Sequence, residues 1–242
     1  MNYLHEGLTQ LGFDKGDFYG IQTLPLSELE QKLDAYIKLL QEYNAKFDLI
    51  NTDDYDEIVI RHILDSLSGA QKIAELCAGL VKNTGVDFDL GCKSLLLADI
   101  GSGAGLPGIP LATVFPSLQF TLVERMTKRC GFLSHCAAEL NLSNVTVEEN
   151  QAERLGQNIF DLCVFRAFRP LDKKMLKVLR RILKQGGKLA AYKARTEKIA
   201  EEMGALESSK PKYVVEPLTV PFLTQNTEAE EERERNLVII EK

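Results

Sequence analysis

The stretch LADIGSGAGLPGIPLA, residues 97–112, decides how the surrounding chain folds. It begins as an apolar strand, passes through Gly101, Gly103 and Gly105, and continues as a helical segment that contains two prolines. Glycines in such a turn let a ligand lie directly on the backbone amides, and the helix that follows presents its positive N-terminal end. The stretch therefore predicts a ligand-binding edge on a parallel α/β sheet.

Strand and helix patterns alternate after this stretch, which predicts a doubly wound, Rossmann-like α/β sheet. An amphipathic helix at 26–47 and a helical region at 55–81 precede it, and 82–94 has the composition of a loop or short hairpin. Strands are predicted at 94–100, 118–124, 144–150, 161–168 and 187–194, and helices at 106–115, 128–140 and 171–183. Two further strands, at 212–220 and 235–242, flank the acidic sequence EAEEERER without a helix, and we expect them to close the sheet in antiparallel fashion.

A chain of 242 residues is long enough for one large α/β domain with a modest extension. We expect residues 1–93 to form an N-terminal helical extension and residues 94–242 to form the core, with the two packed as one unit. The composition, 45% hydrophobic and 26% charged, is typical of a soluble globular protein.

Targeting and redox signals are weak throughout the chain. The N-terminus lacks the pattern of a signal peptide, and no stretch approaches the roughly 18 apolar residues of a membrane span. Five cysteines form an odd set with no Cys-x-x-Cys pair, which favours buried thiols over a disulfide framework or a zinc ribbon. We therefore expect a cytoplasmic protein with no metal site and no membrane partner.

The net charge of −6 is unevenly distributed. Between residues 166 and 198 there are twelve Lys or Arg residues and only two acids, Asp172 and Glu197. Because the distribution of charge matters more than its sum, a nucleic-acid partner remains compatible with the acidic total.

Two classes of cofactor use a glycine turn of this kind, the dinucleotides and S-adenosylmethionine. The dinucleotide fingerprint G-x-G-x-x-G requires a third glycine at the position of Leu106. The spacing D-x-G-x-G-x-G, which begins at Asp99, instead resembles motif I of the class I methyltransferases. The glycine pattern therefore favours S-adenosylmethionine, and a dinucleotide-dependent oxidoreductase remains the alternative.

Polar residues follow the next two predicted strands. Glu124 ends the second strand, 23 residues after Gly101, where a carboxylate can accept hydrogen bonds from ribose hydroxyls. Nicotinamide enzymes use the same arrangement, and a solvated turn is the simpler alternative. Gln151, Ala152 and Glu153 follow the third strand, where an adenine ring would lie, although they equally fit the first turn of a helix.

Five segments resemble, in order and spacing, the ribosomal RNA small subunit methyltransferase G family, also called glucose-inhibited division protein B. They are HILDSL (62–67), LADIGSGAGLPGIPLA (97–112), FTLVERMTKRCGFL (120–133), FRAF (165–168) and ERNLVII (234–240). The resemblance extends from about residue 44 to the C-terminus, and GAGLPGIPLA is its most specific part. It implies a class I S-adenosylmethionine-dependent methyltransferase fold and methylation of N7 of the guanosine at position 527 of 16S ribosomal RNA.

The resemblance also implies which residues contact the cofactor. The family's positions correspond here to Gly101, Leu106, Ala152, Glu153 and Arg166. The chain departs from the family in FRAF, where Phe165 replaces a common serine and excludes a role for a hydroxyl at this position.

The acceptor chemistry is indicated by residues that are absent. Methylation of pyrimidine carbon 5 needs a cysteine nucleophile, but Cys163 lies in the middle of a predicted strand and no Pro-Cys pair occurs. Guanine N7 carries a lone pair and no proton, so its methylation needs neither a nucleophilic residue nor a general base. Arg166, Lys193 or Arg235 would then hydrogen-bond N7 and O6, and Phe168 would stack on the base.

Basic residues around the predicted helix at 171–183 are candidates for RNA phosphate contact. They are Arg169, Lys173, Lys174, Lys177, Arg180 and Arg181. A solvated face is the alternative interpretation of such a charge run. We expect 16S ribosomal RNA or the small ribosomal subunit as the partner and favour a monomer, while a catalytically silent RNA-binding or assembly factor remains an alternative.

His62 and Asp65 lie on one turn of a predicted helix. They fit either a proton relay or a structural pair that tethers the N-terminal helices to the sheet. We favour the structural pair.

Overall fold

The computed structural model describes residues 1–82, 85–209, 211–224 and 234–242. The N-terminal part is mainly helical and contains one short antiparallel hairpin. Its elements are α1 (Tyr3–Gln10), β1 (Asp17–Phe18), β2 (Ile21–Gln22), α2 (Leu26–Phe47), α3 (Tyr55–Ile58), α4 (Asp65–Ser68), α5 (Ala70–Lys82) and α6 (Phe88–Ser94). A wider π-type turn, Val59–Leu64, joins α3 to α4.

The predicted helices at 26–47 and 55–81 are confirmed, but the predicted loop or hairpin over 82–94 is wrong, because α6 occupies its second half. The side chain of Asp87 caps α6 by accepting a hydrogen bond from the backbone N–H of Leu90. Gly91 lets α6 pack against Val81 of α5, since a Cβ there would lie 2.3 Å from a Val81 methyl carbon. Residues 83 and 84 lie outside the described part of the chain.

The described residues form a seven-stranded sheet at the centre of the molecule. Its strands are β3 (Leu96–Ile100), β4 (Gln119–Glu124), β5 (Val145–Glu149), β6 (Phe160–Arg166), β7 (Leu183–Lys193), β8 (Tyr213–Pro217) and β9 (Asn236–Glu241). They lie in the order β5-β4-β3-β6-β7-β9-β8. The first five are parallel, and β9 runs antiparallel to both β7 and β8, which confirms the predicted closing strands.

Four helices connect the strands of this sheet in the described ranges. They are α7 (Gly108–Val114), α8 (Thr127–Glu139), α9 (Lys173–Ile182) and α10 (Thr196–Ala205). The predicted strand at 161–168 is shorter than expected, because Ala167 adopts a left-handed conformation, with φ of +49°, and ends β6. Helix α10 is found only in the structure, and most of the acidic sequence at 228–235 lies outside the described residues.

The sheet has a hydrophobic core on each face. Leu97 and Ala98, consecutive residues of β3, point into opposite cores, as the alternation of a strand requires. The N-terminal helices and α8 cover one face, and α9 and α10 cover the other. Each fully buried leucine, such as Leu33 of α2, contributes about 1.5–3 kcal/mol through apolar burial. The N-terminal region is therefore joined to the sheet by hydrophobic packing.

All five cysteines are free and buried, as the sequence predicted. None of the helices in the described ranges is both long and apolar enough to cross a bilayer.

The strand order reverses at β3, which lies between β4 and β6. In open α/β sheets, ligands bind outside the carboxyl ends of the strands at such a reversal. The three strands end here at Ile100, Glu124 and Arg166. The topology therefore brings the glycine stretch, Glu124 and Arg166 to one edge of the sheet.

Candidate active site

The glycine loop after β3 turns sharply and lies close to its neighbours. Gly101 has a φ of +71°, in the left-handed region that favours glycine, and its N–H donates to the carbonyl of Val123 at 2.8 Å. A Cβ on Gly101 would lie 2.7 Å from the ring of Phe168, and a Cβ on Gly105 would lie 2.6 Å from Ile109. Gly101 and Gly105 are therefore required by the packing, and Gly101 by the turn as well.

Asp99 lies beneath the loop and is fully buried. One carboxylate oxygen, Oδ2, accepts a hydrogen bond of 2.9 Å from the N–H of Gly108, at the start of α7. The other, Oδ1, has no hydrogen-bond partner among the described residues. Desolvation by burial raises the pKa of Asp99 to about 7. Asp99 thus supports the loop from below and is not exposed at the surface.

Glu124, at the end of β4, is held by backbone amides. Its Oε2 accepts from the N–H of Gly103 at 3.0 Å, and its Oε1 accepts from the N–H groups of Arg125 and Met126 at 2.7 and 2.9 Å. A carboxylate offers roughly four acceptor positions, so these bonds leave room for one more donor. The geometry therefore orients Glu124 rigidly and leaves it able to accept from a ribose hydroxyl.

A cavity of about 470 Å³ opens beside this loop, and we call it the cofactor cavity. This volume lies in the range typical of small-molecule sites, roughly 300–1,000 Å³. Of the residues predicted to contact a cofactor, those that line the cavity are Gly101, Glu124, Ala152 and Glu153. Those that form or support the loop without lining the cavity are Asp99, Gly103, Gly105 and Leu106. The cavity has the volume of a nucleoside site, and both Gly101, which has no side chain, and the oriented carboxylate of Glu124 line it.

Several other residues of the cofactor cavity escaped prediction. Arg125, Arg129 and Asn150 line it, and Arg125 and Asn150 each follow the end of a strand. Position after a strand was the one signal in the sequence that pointed to Arg125 and Asn150, whereas Arg129 lies within α8.

An ion pair spans one side of the cofactor cavity. Arg169 and Glu153 both line the cavity, and the Arg169 guanidinium bonds the Glu153 carboxylate. Arg169 also lies over the ring of Phe168, 5.7 Å from its centroid. The structure therefore places Arg169 at the cofactor cavity, whereas the sequence grouped it with the basic helix.

A second cavity of about 400 Å³ adjoins the first, and we call it the acceptor cavity. Ala167 and Phe168 line both cavities. The left-handed turn at Ala167 directs Phe168 over Gly101, so that the ring stands between the two spaces. Residues from the N-terminal helices, β6, β7 and the start of β9 line the acceptor cavity, including Arg61, His62, Tyr192, Lys193 and Asn236.

Arg166 lines the acceptor cavity and not the cofactor cavity. Its Nη1 lies 2.6 Å from Oδ2 of Asp65 and 3.2 Å from the carbonyl oxygen of Arg61. Asp65 also accepts through Oδ1 from Nε of Arg235, at 3.1 Å. The buried carboxylate of Asp65 therefore lies between two guanidinium groups and joins α4 to the sheet.

His62 is a neutral residue in this cavity. Burial, together with the charge of Arg166, lowers the pKa of His62 to about 4. Its Nδ1 lies 3.3 Å from Nη2 of Arg166, which has only protons to offer, so Nδ1 accepts and the ring proton is on Nε2. Nε2 is buried and has no hydrogen-bond partner in the described part of the chain. The lone pair on Nδ1 of His62 therefore already accepts a hydrogen bond from Arg166.

Lys193 also lines the acceptor cavity, and α10 neutralises its charge. Its Nζ lies 2.8 Å from a carboxylate oxygen of Glu202. The same carboxylate accepts from the backbone N–H of Leu171, ahead of α9. No pattern in the sequence pointed to Glu202, since its contact depends on how α10 packs.

The residues of the basic helix α9 fall into two groups. Lys173, Lys174 and Lys177 are exposed and make no ion pair or hydrogen bond with the described residues. Arg180 donates to the carbonyl oxygens of Glu241 and Ser209, and Arg181 donates to those of Ala152 and Glu153. The lysines therefore face solvent, whereas the arginines also hold neighbouring loops.

Known proteins resemble the chain over most of its length. A family model described as rRNA small subunit methyltransferase G matches residues 29–237. A ribosomal RNA small subunit methyltransferase G from Treponema denticola is 39% identical over 238 residues, with 92% of this chain and 90% of that protein covered. Another, from Hydrogenovibrio crunogenus, is 37% identical and covers 87% of this chain and 84% of that protein.

Solved structures resemble the chain in fold. The crystal structure of the cyclase SpnF aligns with a TM-score of 0.52 over 89% of this chain and 96% of that chain, at 14% identity. Together with the strand order of the sheet, the comparisons confirm the predicted class I methyltransferase fold.

Proposed function

The chain belongs to the rRNA small subunit methyltransferase G family, and from that premise we propose that it methylates N7 of a guanosine in 16S ribosomal RNA. The family resemblance indicates the guanosine at position 527. The acceptor cavity carries this proposal, because it supplies hydrogen-bond donors and no free base.

S-adenosylmethionine is the cofactor, and it supplies a methyl group activated by attachment to a positively charged sulfur. In the cofactor cavity, Gly101 would allow close approach to the backbone, and Glu124 would accept a hydrogen bond from the ribose. Ala152 and Glu153 lie where the adenine ring is expected. These residues would hold the cofactor beside Phe168, which lines both cavities.

The acceptor cavity favours an acceptor atom that has no proton to lose. Among the described residues that line it, Asp65 is the one carboxylate, and two arginines bind it. The lone pair of His62 faces Arg166, and Cys163 is fully buried. An exocyclic amine or a carbon acceptor requires a base or a thiolate, whereas guanine N7 requires neither.

The reaction then follows from alignment. Bound S-adenosylmethionine would supply an electrophilic methyl group to the N7 lone pair, and the electron pair of its carbon–sulfur bond would stay on sulfur. The residues of the acceptor cavity would therefore have no proton to move. We assign donation to O6 to Arg166 and Arg235, since this orients the base and leaves the N7 lone pair free. Phe168 stacks on the base.

The exposed lysines of α9 extend the site toward the RNA backbone. We assign phosphate contact to Lys173, Lys174 and Lys177, with a smaller contribution from Arg180 and Arg181, which also bind backbone carbonyls. We expect the protein to act as a monomer in the cytoplasm, because a single chain forms both cavities and the proposed substrate is 16S ribosomal RNA or the small subunit.

The test is a transfer reaction with labelled S-adenosylmethionine and small subunits or 16S RNA that lack the modification. Mass spectrometry then maps the methylated atom, and we expect label on N7 of one guanosine. Arg166→Ala serves as the variant that lacks a guanidinium in the acceptor cavity, and it should lose most of the transfer. Label on another atom contradicts the proposal, and RNA binding without transfer indicates a silent RNA-binding factor.

A further inference from the structure

One carboxylate from the N-terminal helical region joins the two arginines of the acceptor cavity. Asp65 begins α4, and its side chain is only 8% exposed. Each of its oxygens takes a different guanidinium, Oδ2 that of Arg166 and Oδ1 that of Arg235. Arg166 ends β6 and Arg235 lies directly before β9, so Asp65 links three separate segments of the chain.

The contacts of Arg166 determine which edge of its guanidinium is free. A guanidinium has five N–H donors. Nη1 donates to Asp65 and to the carbonyl of Arg61, and Nη2 donates to His62, which leaves Nε and one proton of Nη2. All three partners lie between residues 61 and 65. The N-terminal helical region therefore sets the direction of the donors that remain.

Charge makes this arrangement dependent on Asp65. The side chains of Arg166 and Arg235 are 14% and 19% exposed, so water screens their mutual repulsion only in part. One carboxylate between two guanidinium groups offsets that repulsion and bonds both. Without it, the Arg166 guanidinium gains by turning toward solvent, and Arg235, whose Nη1 also donates to the carbonyl of Glu234, loses the bond that directs its Nε toward Asp65.

We propose that Asp65 is a positioning residue of the acceptor site, which fixes both guanidinium groups in the orientation that receives the O6 edge of the guanine. It touches neither the base nor the methyl group and acts through Arg166 and Arg235. The inference rests on the proposed function of the acceptor cavity. The N-terminal helical region is then one wall of the active site as well as a packing partner of the sheet.

Asp65→Asn tests this inference, because the amide keeps the shape of the side chain and loses its charge. We expect kcat with small subunits or 16S RNA to fall at least tenfold, whereas KM for the RNA changes little, because phosphate contacts dominate RNA affinity. The dissociation constant for S-adenosylmethionine should stay within twofold of the wild-type value. Asp65→Glu restores the charge one methylene further out and should recover part of the lost kcat.

Asp161→Asn is the matched control. Asp161 lies near the opposite end of β6, where its Oδ2 is 2.7 Å from Nζ of Lys184 and accepts from the N–H of Leu96. This variant also removes a partly buried ion pair, so its melting temperature should fall, while its kcat stays within twofold of the wild-type value.

If Asp65→Asn folds, either of two results overturns the inference. One is a kcat for Asp65→Asn within twofold of the wild-type value, and the other is a loss of cofactor affinity that parallels the loss of kcat in both Asp65 variants. Should Asp65→Asn fail to fold, an Asp65→Glu protein that is folded and fully active overturns it as well. If the wild-type protein transfers no methyl group to ribosomal RNA, the proposed function itself is wrong. The wild-type assay shows this before any variant is made.

Discussion

The hydroxyl group of Tyr36 donates a hydrogen bond to the backbone carbonyl of Ala104, and the two oxygens are 2.6 Å apart. Tyr36 lies on α2 and is fully buried, and Ala104 lies in the glycine loop of the cofactor cavity. A Cβ on Gly105 would lie 3.2 Å from the same hydroxyl oxygen. The N-terminal helical region therefore supports the cofactor loop as well as the acceptor cavity.

Removing this hydroxyl should loosen the loop. Tyr36→Phe leaves the carbonyl of Ala104 without its donor, at a cost of about 1–3 kcal/mol. We expect the dissociation constant for S-adenosylmethionine to rise roughly tenfold, since 1.4 kcal/mol corresponds to a factor of ten. Titration calorimetry measures this change. Tyr55→Phe is the control, because it loses a hydroxyl bound to Asp34 and leaves the loop contacts in place. Equal affinities in the two variants contradict the prediction.

The carboxylate of Glu124 should be essential for cofactor binding. Glu124→Gln places an N–H group against a backbone N–H of Gly103 or Met126, where the carboxylate accepted a hydrogen bond. We expect at least a tenfold loss of cofactor affinity and a lower melting temperature. Glu149→Gln is the matched control, since Glu149 lies beside Glu124 in the register of β5 and does not line the cavity. An unchanged affinity in Glu124→Gln would count against the ribose assignment.

The lysines of α9 should set the salt dependence of RNA binding. We expect the triple variant Lys173→Gln, Lys174→Gln, Lys177→Gln to bind a 16S RNA fragment more weakly. The slope of log affinity against log salt should be shallower by about 0.7–0.9 for each phosphate that the variant no longer neutralises. Fluorescence anisotropy at several salt concentrations measures both quantities.

A double variant of the two arginines of α9 is the comparison for the lysines. Arg180→Gln with Arg181→Gln removes bonds to backbone carbonyls, so it should lower the melting temperature and change the slope less. If the arginines change the slope more than the lysines do, the assignment of phosphate contact to the lysines is wrong.

Asp99 should make stability depend on pH. Its pKa is about 7 in the folded protein and near 3.8 when unfolded, so between these values the folded state holds a proton that the unfolded state has lost. This contribution to stability is complete below about pH 3.8 and falls as pH rises to about 7, by roughly 1.4 kcal/mol for each pH unit. Asp99→Asn removes this pH-dependent contribution, because an amide does not titrate.

Urea unfolding of both proteins at pH 5 and pH 8 measures the effect of Asp99. The free energy of unfolding of the wild-type protein, relative to Asp99→Asn, should be larger at pH 5 than at pH 8. His62 acts with the opposite sign between about pH 4 and 6.5, because its pKa is lowered on folding, but it is present in both proteins and cancels in the difference. If the free energies of unfolding of the two proteins differ by the same amount at pH 5 and at pH 8, the pKa of Asp99 is not raised on folding.

Helices α6 and α10 show where local sequence was insufficient. The segment that contains α6 has Asn, Gly and Asp residues that favour turns, yet Asp87 caps a helix there and Gly91 packs against Val81. Packing of Ile199 and Met203 into the second core stabilises α10. In both cases the tertiary contact outweighs a weak local preference.

The sequence by itself determined the order of the central strands along the chain and the placement of the glycine loop and Glu124 at one edge of the sheet. The glycine loop follows β3 directly and Glu124 ends β4, and neighbouring parallel strands end at one edge of the sheet, so local pattern and strand position were sufficient. Local pattern also named Arg166, Lys193 and Arg235 for the acceptor side, but only the tertiary structure decided which residues hold them there. Asp65 meets Arg166 across 101 positions of the chain and Arg235 across 170. A buried carboxylate needs a charged partner, so these ion pairs are specific. The sequence around Asp65 does not show which distant arginines will pair with it.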